Sequence, residues 1–360
     1  DLVVTANHPQ ADAIRQHLIR AVRALCQDWR MVWSLHGDAP SGWASYQQLL
    51  ERTSAAINSV PLPAILRSNG VAADKVIHAK ILSVALNPTV AQQQPPASPA
   101  PAPRFERPVF IIAAPRSGST LLFETLGQAA GFQTIGGESH AIFEELPELR
   151  PSAPGAEGNR LTEREATPAM AQYIRERFWS ELRDRDGQPP ANNAVVRMLE
   201  KTPKNALRIP FLNAVFPDAL FVVLHRDPRE NISSIMEAWR SGKWITYHRL
   251  PDWEGPWSLL VPPGYSALAG QALETIAATQ WENTNRSLLD DLERLDPARW
   301  MTLSYDDLLT DPQQAVVRIC RFADIGFDSE LQDHLQRPLP QSRYTHTPPE
   351  RNKWQKNAEA

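Results

Sequence analysis

Residues 109–122 read VFIIAAPRSGSTLL. An apolar run, Val109–Ala113, is bounded by Pro108 and Pro115 and gives way to an Arg/Ser/Gly turn, then to the apolar start of a helix at Leu121-Leu122. Unbroken rather than alternating, such a run suits a strand of a parallel sheet covered on both faces. Strand, tight turn and helix N-terminus together form a shape that cradles a phosphate, because the first helical N–H groups have no partner of their own. Measured against G-x-x-x-x-G-K-[ST], Ala113 replaces the first Gly and Ser119 replaces the Lys that would reach β- and γ-phosphates. The positive charge sits inside the turn instead, at Arg116. This loop can hold a phosphate yet lacks the usual equipment for a metal-bound nucleoside triphosphate.

Downstream, the same texture repeats. Val195–Leu199, Leu220–Leu224 and Trp300–Leu303 are strand candidates, with Gln133–Ile135 as a further short one. Capping signals follow them: Thr202-Pro203, then Asp227-Pro228-Arg229-Glu230, then Ser304 with Asp307, and Asp311-Pro312 soon after. Strand, short loop and capped helix in alternation predict an α/β domain, a P-loop-type parallel sheet flanked by helices. Ligands in such sheets bind beyond the carboxyl ends of the strands.

Upstream, residues 91–104 read AQQQPPASPAPAPR, which holds nothing able to anchor a core, and 91–106 reads as a semi-rigid Pro/Ala/Gln-rich spacer. Residues 1–90 repeat apolar positions at helical spacing (Ile14, Leu18, Val22, Leu25, Trp29, Val32) and predict a small all-helical region. That region carries no recognisable chemistry, so its plainest role is docking a partner protein or forming a homodimer. The catalytic domain is expected over 107–360.

Composition bounds the rest. The 360 residues are 42% hydrophobic and 22% charged with a net charge of −4, which excludes wholesale disorder and any global basic field for nucleic acid. Two cysteines, Cys26 and Cys320, make neither a disulfide framework nor a zinc site and fit a reducing compartment. No apolar run approaches the ~20 residues of a transmembrane helix, and no signal peptide is visible. A cytoplasmic location is the expectation.

A second constellation lies at His225-Arg226-Asp227-Pro228, leading to Ser233-Ser234. With Asp227 as N-cap, Ser234 returns two turns later to the same helix face, where an Arg and a hydroxyl can converge on one phosphate. Together the two constellations resemble the sulfotransferase superfamily that uses 3′-phosphoadenosine-5′-phosphosulfate (PAPS). That family's loop P-[KR]-[ST]-G-[ST]-[ST]-L is matched by Pro115 to Leu121, and its Arg and Ser eight residues apart by Arg226 and Ser234. The late phrase LSYDDLLTDPQQAVVRICRFADIGF resembles the family's "YEDLL-DP…FLG" block, and the resemblance covers roughly residues 107–354. It implies that Arg116, Ser117, Gly118, Ser119, Thr120 and Leu121 hold the 5′-phosphosulfate, that Arg226 and Ser234 hold the 3′-phosphate, and that no metal is required.

Two further phrases bear on catalysis. Gly137-Glu138-Ser139-His140 resembles the Glu-x-His of heparan sulfotransferases, whose Glu also matches that of tyrosylprotein sulfotransferases; Glu200-Lys201-Thr202-Pro203 resembles their Glu-Lys-[ST]-Pro. The resemblance implies Glu138 as general base, His140 as its assistant or substitute, and Lys201 with Arg116 at the transferring group. Arg rather than Lys in the loop is the Golgi-type and bacterial pattern. A hydroxyl acceptor is implied, whether small molecule, sugar, lipid or carrier-bound, and the tryptophans Trp239, Trp244, Trp253 and Trp257 stand equally as an acceptor lid or as packing. The rival readings are a P-loop kinase-like phosphotransferase, disfavoured by Ser119, and a non-catalytic adenine-bisphosphate-binding module, disfavoured by Glu138 and Lys201.

Overall fold

The computed structural model of the chain describes residues 103–191, 193–337, 339, 342, 343 and 353–357. The helical region expected over 1–90 with its Cys26, and the spacer up to 102, lie outside the described residues, as does the side chain of Lys353. In chain order the elements are β1 (Arg104–Phe105), β2 (Val109–Ile112), α1 (Ser119–Leu126), α2 (His140–Glu144), α3 (Pro168–Glu181), β3 (Val195–Val196), β4 (Leu199–Lys201) and α4 (Ile209–Val215). They continue with β5 (Leu220–His225), α5 (Pro228–Ser241), β6 (Ile245–Tyr247), β7 (Trp257–Ser258), α6 (Leu273–Leu292), β8 (Trp300–Ser304), α7 (Tyr305–Thr310), α8 (Pro312–Ala323) and α9 (Ser329–Leu335).

The central sheet has the order β4-β2-β5-β8, with every pair parallel. The apolar run is unbroken because both faces of β2 are covered. Val109 and Ile111 pack with Leu220, Val222 and Leu303 under α1, α7 and α8. Phe110 and Ile112 pack on the other side with Phe221, Val223 and the aromatics Phe143, Phe178 and Phe211 from α2, α3 and α4. Each such side chain contributes roughly 1.5–3 kcal/mol of burial. Because β4 and β5 flank β2 on opposite sides, the connections leaving β2 and β5 diverge, which opens the ligand crevice of an open α/β sheet at their carboxyl ends.

Caps behave as expected at three of four places. Asp227 accepts from the N–H groups of Arg229 and Glu230, Ser304 from Asp306 and Asp307, and Asp311 from Gln314. Thr202 does not cap; its hydroxyl bonds Glu200 instead, and a 3-10 turn over Pro203–Leu207 follows. The run expected as one strand over Val195–Leu199 divides, since β3 pairs with β1 while β4 pairs with β2. Gln133 and Thr134 make isolated bridges, to Met198 and Arg183, rather than a strand. β1 falls within the stretch read as spacer, so sheet pairing begins at Arg104. Cys320 is buried on α8.

Candidate active site

The phosphate-type loop turns sharply. Arg116 (φ 68°) and Gly118 (φ 92°) both occupy the left-handed region, and Gly118 is the N-cap of α1. A glycine cap brings no side-chain oxygen, so the first-turn N–H groups of α1 keep no capping partner. The loop's oxygens are tied from behind. The Ser117 hydroxyl lies 2.8 Å from Ala114 O, Asn231 Nδ2 donates to Pro115 O at 2.7 Å, and Arg226 Nη1 donates to Arg116 O at 3.2 Å. With Pro115 O and Arg116 O engaged, and the one Ser117 proton shared between Ala114 O and Asn231 Oδ1, what the loop chiefly has left to offer a ligand is N–H groups and positive charge. Burial first, and then the charge of Arg226, push the Arg116 guanidinium below its ordinary value. An anion placed there would relieve that repulsion.

Arg226 stands at the end of β5 with its guanidinium carbon 4.8 Å from the centre of the Tyr305 ring and its Nη2 2.9 Å from Glu230 Oε2. Its Nε is buried without a hydrogen-bond partner. A buried donor left unpaired costs about 1–3 kcal/mol, which favours a ligand acceptor at this point. Ser234 lies half-buried two turns into α5, and its neighbour Ser233 accepts a 2.8 Å bond from Asn357 of the C-terminal segment. The Tyr305 ring also covers the loop: a Cβ at Gly118 would fall 2.3 Å from Tyr305 Cε2.

Lys201 ends β4, 1% exposed, and its Nζ donates to Thr120 Oγ1 at 3.0 Å and pairs with Glu138 Oε1. Glu138 Oε2 lies 2.7 Å from His140 Nε2. Thr120, Lys201, Glu138 and His140 therefore form one continuous polar chain leading away from the loop. Burial alone would raise the Glu138 carboxyl, but the hydrogen bond to His140 and the charge of Lys201 outweigh it and hold the group at about 2. Burial also pushes His140 down, against the pull of Glu138, so its imidazole is neutral at pH 7. The neutral ring then donates from Nε2 to the carboxylate, leaving the lone pair on the buried, unpartnered Nδ1.

The segment bearing Glu138 is anchored from below by Glu200. This fully buried carboxyl, raised by burial, accepts from Ser139 Oγ (2.7 Å), Thr202 Oγ1 (2.6 Å) and Asn205 Nδ2 (2.6 Å). Arg343 holds it from outside, bonding Glu124 (2.5 Å) and Gly136 O (2.6 Å). A second charged group adjoins it. Glu144 pairs with Lys204 and accepts from Tyr247 Oη at 2.6 Å, while burial pushes Lys204 down to about 8.

The tryptophans do not form one group. Trp239, Trp253 and Trp257 meet edge to face with Tyr265 as a packed cluster. Trp244 stands apart and covers Arg116, its ring centre 5.1 Å from the guanidinium carbon.

The structure thus brings Arg116, Thr120 and Arg226 to the loop and joins Lys201, Glu138 and His140 to it. Ser117 and Ser119 are buried, and the Leu121 side chain lies in the core, so Leu121 could meet a ligand only through its backbone. Sequence reasoning missed Asn231, Tyr305 and the Glu144–Lys204–Tyr247 group. An Asn inside a helix, where it has weak propensity, is the one local hint among them. Among the described residues no group of three or more His, Cys, Asp or Glu could hold a metal, and no helix is long and apolar enough to cross a membrane.

Residues 108–329 match the profile described as the Sulfotransferase family. Protein-tyrosine sulfotransferase A of Caenorhabditis elegans is 23% identical over 230 residues, 63% of this chain, and this chain spans 52% of that relative. Among solved structures, the sulfotransferase domain from the curacin biosynthetic pathway aligns over 63% of this chain and 77% of that one, at 20% identity and a TM-score of 0.40. A mouse sulfotransferase solved with PAP (the desulfated form of PAPS) aligns over 64% of each chain, at 13% identity and a TM-score of 0.35. The family match takes in more than half of the chain, and its span includes the loop, the Glu138 segment and Arg226: this protein belongs to the sulfotransferase family.

Proposed function

We propose that the chain transfers the sulfuryl group of PAPS to a hydroxyl acceptor by in-line displacement, with Glu138 as general base. The observation that carries this reading is the polar chain from Thr120 through Lys201 to Glu138, which links an anion-holding loop to a carboxylate. The residues suit the donor: backbone N–H groups and Arg116 for the 5′ end, the unpartnered Arg226 Nε and the Ser234 hydroxyl for the 3′-phosphate. When bound, PAPS supplies an activated SO₃ unit on a phosphate leaving group. The protein's work is to align the groups and neutralise spreading charge, as in phosphoryl transfer.

Arg116, Lys201 and the loop N–H groups provide that charge without a metal. Glu138 takes the acceptor's proton, and His140 orients it. A carboxylate held at about 2 is a weak base, and Lys201 is a chief reason for the low value. An anionic group at the loop draws the Lys201 charge toward itself, and Glu138 becomes more basic as that pairing loosens. The acceptor is a hydroxyl-bearing small molecule, sugar, lipid or carrier-bound group. The cytoplasm is the proposed location, and residues 1–90 the proposed means of dimerising or docking a partner.

The test compares 3′,5′-ADP with ADP as stabilising ligands, alongside transfer of labelled sulfur from PAPS to an acceptor panel. At 100 times its dissociation constant, 3′,5′-ADP should add about 2.7 kcal/mol, and ADP far less. Equal thermal shifts, or a strict Mg²⁺ requirement for turnover, would favour the phosphotransferase reading instead.

A further inference from the structure

Of the loop carbonyls tied from behind, Pro115 O is held by a residue that neither constellation contains. Asn231 is 1% exposed, one turn into α5, and both ends of its amide face the loop. Nδ2 donates to Pro115 O at 2.7 Å, and Oδ1 lies 2.8 Å from the Ser117 hydroxyl. Its own backbone N–H is bound to Asp227 O at 2.9 Å, so the side chain springs from a fixed point.

We propose that Asn231 is a positioning residue that holds the loop in the shape presenting its N–H groups to an anion; this rests on the reading of that loop given above. The chemistry explains the residue type. The amide meets one acceptor and one hydroxyl with one donor and one acceptor, at the same reach and with no charge. An Asp here would set a carboxylate oxygen against Pro115 O. An apolar side chain of that size would leave a buried carbonyl unpaired. Arg226 ties the adjacent carbonyl, but it is also paired with Glu230. Asn231 is therefore the neutral bolt of the frame and Arg226 the ionic one.

The test is calorimetric titration of the full chain with 3′,5′-ADP and with 5′-AMP, on the wild type, Asn231→Asp and Asn231→Ala. Asn231→Asp removes the donor and Asn231→Ala the whole amide, and neither touches Ser117, Arg226 or Ser234. The expected result is that both ligands weaken by a similar factor, on the order of tenfold, equivalent to ~1.4 kcal/mol. The ratio of the two Kd values, which reports the 3′-phosphate, stays at its wild-type value. A residue that merely stabilises the fold would lower Tm and leave both Kd values of the folded protein unchanged, and that result overturns the proposal. Weakening confined to 3′,5′-ADP also overturns it, since Asn231 would then serve the 3′-phosphate. Should Asn231→Asp not fold, Asn231→Ala decides alone by the same two measurements. Failure of the wild type to bind 3′,5′-ADP sinks the proposed function, and this inference with it.

Discussion

The phosphate-type loop and the charged group beside it are built on opposite principles. In the loop, Asn231 and Arg226 satisfy two successive carbonyls before any ligand arrives, so the N–H groups stand ready. Around Glu138, the charges satisfy one another: Lys201 and His140 bind the carboxylate, and Glu144 binds Lys204. The first region is preorganised; in the proposed reaction the second would exchange its own ion pairs for contacts with substrate. The difference separates holding from reacting. Damage to the loop should act on affinity, whereas damage to the charged group should act on rate.

The largest effect should come from Glu138→Gln, which keeps the size of the side chain but cannot take a proton. Steady-state kinetics should show kcat lowered by ~10²–10⁴ while 3′,5′-ADP affinity barely moves. Near-normal kcat at saturating acceptor would move the base to His140, and His140→Ala would then carry the rate loss. Next is Gly118→Ala. Its methyl meets the Tyr305 ring and its backbone keeps a positive φ, so a cost of about 1–3 kcal/mol is expected in a melting curve, with 3′,5′-ADP binding weakened in parallel. Unchanged melting would show that the ring yields freely, and the loop would be less rigid than the comparison requires. The smallest effect is a displacement along the pH axis. With Glu138 proposed as the base, its active form is the carboxylate, so kcat/KM should fall as pH drops through its free-enzyme pKa, which His140 and then Lys201 lower. Lys201→Ala should therefore begin the acid fall at a higher pH, beyond its own rate loss. An acid limb that stays in place would detach Lys201 from the base.

What could be read in advance was local. Val109–Ile112 and Leu220–His225 announce themselves because both faces are buried, and the caps at Asp227, Ser304 and Asp311 because a side chain bonds its own helix within three residues. The candidate site residues were drawn from motifs, which are local in the same sense. Contacts between distant parts of the chain were not. Tyr247 reaches Glu144 across 103 positions and Asn231 reaches Ser117 across 114, and no spacing rule connects them. Thr202 misled because its hydroxyl donates to the buried Glu200 while its oxygen accepts from the Ser139 N–H, so neither is turned to the helix end it precedes. The tryptophans looked alike in sequence; only the fold separates the three that pack together from the one over Arg116.

The Tyr305 ring lies close against Gly118 and also meets the guanidinium of Arg226 over its face. Three positions remote in the chain are thereby made dependent on one another under mutation. A lineage that enlarged residue 118 would first have to shrink residue 305, and in doing so would remove the platform beneath Arg226. Neither change is neutral in the presence of the original partner, so the intermediates are less fit than either end. Such a trio drifts only as a unit. Among divergent descendants of this sequence, the glycine, the tyrosine and the arginine should be kept or lost together, while the exposed positions around them vary one at a time.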